Sequence, residues 1–95
     1  MGEPALKRAE YKVPGGKLLA AEVEERGGAL VKVKLVGDFF MHPEEAIIGL
    51  EEALTGSPLE EIEERVESFF GEEDITLYGV APGDFVKVIR LALAS

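Results

Sequence analysis

The sequence predicts an α+β fold: a three-stranded antiparallel meander followed by three helices packed on one of its faces, a two-layer arrangement. Two observations predict it. Up to residue 36 apolar and charged residues alternate, the period of half-buried strands. Beyond residue 43 the apolar residues recur at helical spacing, so the order reads βββααα with the two classes segregated along the chain.

Residues 6–13 read as the first strand, with Ala9, Tyr11 and Val13 on one face and Glu10 and Lys12 on the other. Pro14-Gly15-Gly16 forces a turn, because proline presets φ and glycine accepts the positive φ that other residues resist. Residues 17–25 form the second strand, with Leu19, Ala21 and Val23 alternating against Glu22 and Glu24. Gly27-Gly28 is a two-residue hairpin signal. In the third strand Val31, Val33 and Leu35 point one way, and Lys32 and Lys34 the other. The sheet therefore has one apolar face. Its other face, with Lys12, Glu22, Lys32 and Lys34, is wet or an interface.

The first helix is expected to start at Pro43, with Glu44 and Glu45 at its positive end. Ile47, Leu50 and Leu54 form its apolar stripe, flanked by Ala46 and Ala53, and Gly56 stops it. Ser57, Pro58 and Glu60 read as a capping box opening the second helix. Leu59, Ile62, Val66 and Phe69 line that helix, and Gly71 ends it. Residues 72–80 read either as a short edge strand or as a packed loop, through Ile75, Leu77 and Tyr78. Pro82 opens the third helix. It is apolar nearly all round, from Phe85 to Leu93, with only Lys87 and Arg90 interrupting. Such a helix is either buried or offered to another protein.

Ninety-five residues make one domain, spanning 1–95, with residues 1–5 expected to be a flexible tail. No stretch approaches the roughly 18 apolar residues of a membrane span. Met1-Gly2-Glu3-Pro4 has neither a signal-peptide order nor a myristoylation pattern, so a cytoplasmic location is expected. With no cysteine, disulfides, thiolate metal sites and cysteine nucleophiles are excluded. Abundant Glu without Asn, Gln or Cys points to a thermophilic source. The net charge of −9 is uneven: residues 37–76 hold thirteen acidic residues and one basic. That block argues against nucleic acid and against anionic membrane, both of which need clustered Lys and Arg. It reads as solvated helix faces or as an acidic face for a basic partner.

Little in the chain supports chemistry of its own. Ser57 or Ser68, His42 and Asp38 form a triad on paper only, since Ser57 is better read as a cap and no nucleophile elbow is present. His42, before Pro43, reads as exposed or at a helix entry. Gly15-Gly16-Lys17 lacks the spacing of a Walker loop and is followed by no helix. It reads as a hairpin turn, or as a turn that carries Lys17 into a partner's active site toward developing negative charge on a phosphate. Gly37-Asp38-Phe39-Phe40 reads as a strand stop whose phenylalanines staple sheet to helix, or as an interface anchored by one of them.

Taken in order, the Val13-Pro14-Gly15-Gly16-Lys17 turn, the Gly37-Asp38-Phe39-Phe40 segment with its Pro43-Glu44-Glu45-Ala46 helix start, and Pro82-Gly83-Asp84-Phe85 resemble the C-terminal accessory domain of lipoate-protein ligases. In the split archaeal type that domain is a separate small subunit. The resemblance spans about Lys12 to Leu93. Ala81 departs from the usual Ser or Thr cap, and Gly83 replaces a helix-favouring acidic residue. It implies a fold like that of iron–sulfur scaffold proteins. It also implies an accessory role beside a catalytic lipoate ligase subunit, as a heterodimer, in ATP-dependent activation of lipoate to lipoyl-adenylate. Transfer to a lysine of acceptor lipoyl domains follows, and those domains are met only indirectly. ATP, magnesium and lipoate are then expected in the catalytic partner and none in this chain. No catalytic residue and no metal ligand is expected. Lys17, Gly15, Gly16, Asp38, Phe39 and Phe40 are the residues expected to meet the partner or cover its active site.

Other classes compete. A non-enzymatic interaction domain is one. A carrier domain modified on Lys17 is another, although Gly16-Lys17-Leu18 matches neither the lipoyl nor the biotinyl attachment pattern. An iron–sulfur scaffold is disfavoured by the missing cysteines.

Overall fold

A computed structural model describes residues 6–95. The tail expected at residues 1–5 lies outside the described residues. The first sheet is the expected meander, β1 (Leu6–Lys12), β2 (Leu18–Arg26) and β3 (Ala29–Gly37), in the order β1-β2-β3. Gly27 and Gly28 both take positive φ, 63° and 84°, as a two-residue hairpin turn demands. Leu19, Ala21, Val23, Val33 and Leu35 point into the core.

One position on β3 departs from strict alternation. Opposite β2 the register jumps from Glu24↔Lys32 to Glu25↔Leu30, leaving Val31 as the extra residue of a bulge. Leu30 is therefore fully buried and Val31 is exposed, the reverse of the expectation for Val31. An extra residue shifts every side chain beyond it by one, which swaps the faces.

The outer face of this sheet is a charge ladder. Glu22 lies between Arg8 on β1 and Lys34 on β3, and Glu24 between Leu6 and Lys32. Arg8 bonds Glu22 and Glu10, each at 3.1 Å, and Arg26 bonds Glu24 at 2.7 Å. The Glu10 hydrogen bond, with help from Glu22, raises the Arg8 pKa further. The exposed Arg8 pairs contribute little, being screened by solvent, whereas the Glu24 carboxylate is largely buried with Arg26 as its partner.

The helices are α1 (Ala46–Leu54), α2 (Ile62–Glu72) and α3 (Pro82–Leu93). The α3 helix lies across β1 and β2, α1 packs against β3, and α2 packs against α1 and α3. Phe85, Val86, Val88, Ile89 and Ala92 are buried, so the apolar third helix is spent on the protein's own core. Lys87 sets its ammonium 5.5 Å from the Tyr11 ring centroid, and Lys7 donates to the Leu93 carbonyl at the helix end. The cap of α3 is half a box. The Ala81 methyl accepts nothing, but the Asp84 carboxylate accepts from the Ala81 N–H at 2.7 Å. Four phenylalanines join the helices to the loop after β3. Phe39 meets Phe85 edge-on, Phe85 stacks on Phe70, and Phe70 meets Phe69 edge-on, with centroids 5.4–5.8 Å apart.

Two helix starts differ from expectation. Pro43 follows a cis peptide bond and sits in a turn whose carbonyl accepts from Ala46, so α1 begins three residues later. Ser57 is fully buried and caps nothing. Gly56 N–H donates to Leu30 O (2.6 Å) and Leu30 N–H to Ser57 O (2.8 Å), so this stretch pairs with the edge of β3. The edge needs those backbone groups, and the extended chain it requires is incompatible with a helical first turn. The Ser57 hydroxyl turns instead to the Pro58 carbonyl at 2.9 Å. A 3₁₀ turn at Leu59–Glu61 then leads into α2, which includes Gly71 and ends one residue beyond it.

The undecided stretch resolves as a strand. β5 (Thr76–Tyr78) pairs antiparallel with β4 (Phe40–His42), making a second, two-stranded sheet.

Candidate functional site

Three segments meet at one end of the meander. The first is the turn from Val13 to Lys17. Gly16 N–H donates to Val13 O at 2.8 Å, and Gly15 between them has φ 71°. With proline ahead of it, this is the pattern of a type II turn. Lys12 steadies it from below, its ammonium donating to Gly16 O at 2.6 Å.

The second segment is Gly37-Asp38, whose Asp38 N–H donates to Leu18 O at 3.0 Å, tying the end of β3 to the residue after the turn. The third is Gly79, just past β5. Lys17 N–H donates to Gly79 O at 2.9 Å. The approach is so close that a Cβ on Gly16 would overlap the Gly79 carbonyl. Gly79 itself has φ 91°, and the Lys17 stem lies where its Cβ would stand. Gly79 was not among the residues singled out from the sequence. Its only local sign is a glycine at the end of an apolar run, which fits many turns equally well.

The consequences for Lys17 are specific. Its backbone is fixed on two sides, by Val13 N–H donating to its carbonyl and by its own N–H on Gly79. Its stem lies along Gly79, and its ammonium is exposed and makes no hydrogen bond among the described residues. Lys12 is spent on holding the turn, whereas Lys17 is presented by it. Asp38 is exposed nearby in the fold, and Gly15 is exposed at the tip.

The two phenylalanines part company. Phe39 is half-buried against Phe85. Phe40 is 71% exposed and stands opposite Tyr78, itself 64% exposed. Their strands place them side by side on the outer face of the second sheet, with His42 and Thr76 as the next pair. This face, Val36 near the end of β3, Glu44 in the turn before α1 and Ile47 in its first turn border an open groove of about 850 Å³. Tyr78 was read from the sequence only as a possible strand residue. No local pattern places it beside Phe40, because the pairing spans 38 positions.

His42 is exposed, and Ser57 is sealed in the core, so Ser57, His42 and Asp38 form no triad. Among the described residues no group of three His, Cys, Asp or Glu is placed to hold a metal ion. None of the helices among them is long and apolar enough to cross a membrane.

Gly16→Ala is expected to pull the turn off Gly79 and break the Lys17 N–H bond, costing about 1–3 kcal/mol. Thermal unfolding together with faster amide exchange at Lys17 checks this. Gly15→Ala, which strains φ but meets no neighbour, should cost only about 1 kcal/mol and leave the Gly79 contact in place.

No protein-family model matches the chain. It is 35% identical over 74 residues, 78% of its own length and 78% of the other's, to lipoate-protein ligase A subunit 2 of Thermoplasma acidophilum. Its fold is similar to a chain from a structural analysis of an archaeal lipoylation system, a bi-partite lipoate protein ligase and its E2 lipoyl domain from the same organism. That match has a TM-score of 0.77 at 30% identity and covers 95% of this chain and 98% of the other.

Proposed function

The chain belongs to the family of lipoate-protein ligase small subunits, and from that premise we propose that it acts as the accessory subunit of a two-component ligase. The catalytic subunit needs it to activate lipoate with ATP to lipoyl-adenylate, before transfer to a lysine of acceptor domains. ATP, magnesium and lipoate are held by that partner. The observation that carries this reading is Lys17: a cation with an unspent ammonium, on a turn pinned to Gly79, at the end of the molecule where the Gly37-Asp38 and Phe40–Tyr78 segments converge.

In this reading the chain closes over the adenylation site and excludes water from it. The Lys17 ammonium then faces negative charge developing on phosphate. Its rigid backbone matters, since a preorganised charge costs no reorganisation at the moment of reaction. Thr and Ser hydroxyls, Glu carboxylates and His42 have no assigned part in the chemistry.

The test is pyrophosphate release from ATP and lipoate by the catalytic subunit of the same organism, with and without this protein. Strong dependence on its addition is expected. Equal rates from the catalytic subunit alone would remove the proposal.

A further inference from the structure

We infer that the groove beside Phe40 and Tyr78 is the docking site for a basic segment of the catalytic subunit that carries an apolar anchor. This rests on the reading of the chain as a small ligase subunit. The groove has the composition of an interface pocket: the Phe40–Tyr78 pair with Val36 and Ile47 among its apolar lining, and His42, Glu44 and Thr76 as its polar side chains. Phe40 and Tyr78 are the most exposed large apolar side chains among the described residues, and their strands set them side by side.

Charge selects the occupant. Glu44 borders the groove, and no Lys or Arg lines it. Asp38 stands two residues before Phe40, Glu45 follows Glu44, and Asp74 stands two residues before Thr76; all are exposed. None of these four carboxylates forms an ion pair among the described residues. In sequence they bracket the first strand of the second sheet and precede the other, within the block that carries thirteen acidic residues and one basic. That one cation, Arg65, is engaged elsewhere, with Glu61 and the Ala53 carbonyl. A second copy of this chain would bring carboxylates against carboxylates. A basic segment would pair them while its anchor enters between the aromatics, so the acidic rim sets encounter rate and the aromatic pair sets residence time.

The experiment measures association of the purified catalytic subunit with the full chain and its variants at two salt concentrations. Phe40→Thr/Tyr78→Thr keeps strand propensity and removes both rings from exposed positions, so it should melt like the wild type. It is expected to bind at least about 100-fold more weakly, through faster dissociation. Asp38→Asn/Glu44→Gln/Glu45→Gln is expected to associate several-fold more slowly at low salt and to lose most of its salt dependence. Val31→Thr, an exposed apolar residue at the β3 bulge, should change nothing. If the wild type binds and the double variant binds within about threefold of it, the groove is not the docking site and the two-subunit reading stands. If the wild type does not bind at all, the two-subunit reading itself falls. A wild-type homodimer that the double variant abolishes would overturn the inference in favour of self-association.

Discussion

Replacing Lys17 with alanine is expected to slow lipoyl-adenylate formation by the assembled ligase about 100-fold while leaving the small subunit folded. The size follows from what one preorganised charge contributes when it meets developing negative charge in a water-excluded site, roughly 10²–10³ in rate. The fold is spared because the side chain is exposed and the bond from residue 17 to Gly79 is made by the backbone, which alanine keeps. Stability should therefore stay within about 0.5 kcal/mol. The loss should appear in kcat more than in KM if, as proposed, the charge acts on the transition state. Lys17→Arg tests the geometry. It restores the charge on a wider, planar group, and partial recovery is expected. Unchanged adenylation kinetics in Lys17→Ala, with assembly intact, would assign Lys17 to the turn alone.

The largest effect on stability is expected at Phe85. Its ring is fully buried, edge-on to Phe39 at 5.4 Å and stacked on Phe70 at 5.8 Å. Phe85→Ala removes the residue that joins α3, α2 and the loop after β3. A cavity at such a site costs about 3–5 kcal/mol. For a chain this small that corresponds to a Tm lower by roughly 15–30 °C. Phe85→Leu keeps most of the volume and should cost about half as much or less. Urea unfolding of both variants against the wild type measures it. The alanine variant should also release Phe39 and so disturb β4 and its exposed partner Phe40. A loss below about 1 kcal/mol would mean that the aromatic chain is dispensable.

Much of the architecture was legible in the sequence because its signals are short-range. Alternation marked the inner residues Leu19, Ala21, Val23, Val33 and Leu35, and glycine pairs marked the turns. Gly56 and Pro82 marked a helix stop and a helix start. The errors share one cause. Ser57 is a good N-cap by type, but its backbone was claimed by the edge of β3, and Pro43 was held in a turn ahead of α1. Val31 fits the alternation perfectly well until the opposing strand imposes a bulge.

The candidate site divides along the same line. The Pro14-Gly15-Gly16-Lys17 turn and the Gly37-Asp38-Phe39-Phe40 segment are visible as local motifs, and they carried the family resemblance. Which phenylalanine is buried, and which lysine is spent, were not visible: Phe39 and Phe40, like Lys12 and Lys17, are alike in residue type and differ only in their neighbours. By itself the sequence determined the three strands of the meander, the three helices, the two hairpin turns and the acidic block, since backbone preference, periodicity and charge are properties of neighbouring residues. Tertiary structure alone decided that Tyr78 would stand beside Phe40 and Gly79 beneath Lys17. Those contacts join segments far apart in the chain, through strands of three residues too short to show a period, and they exist only once the core beneath them has formed.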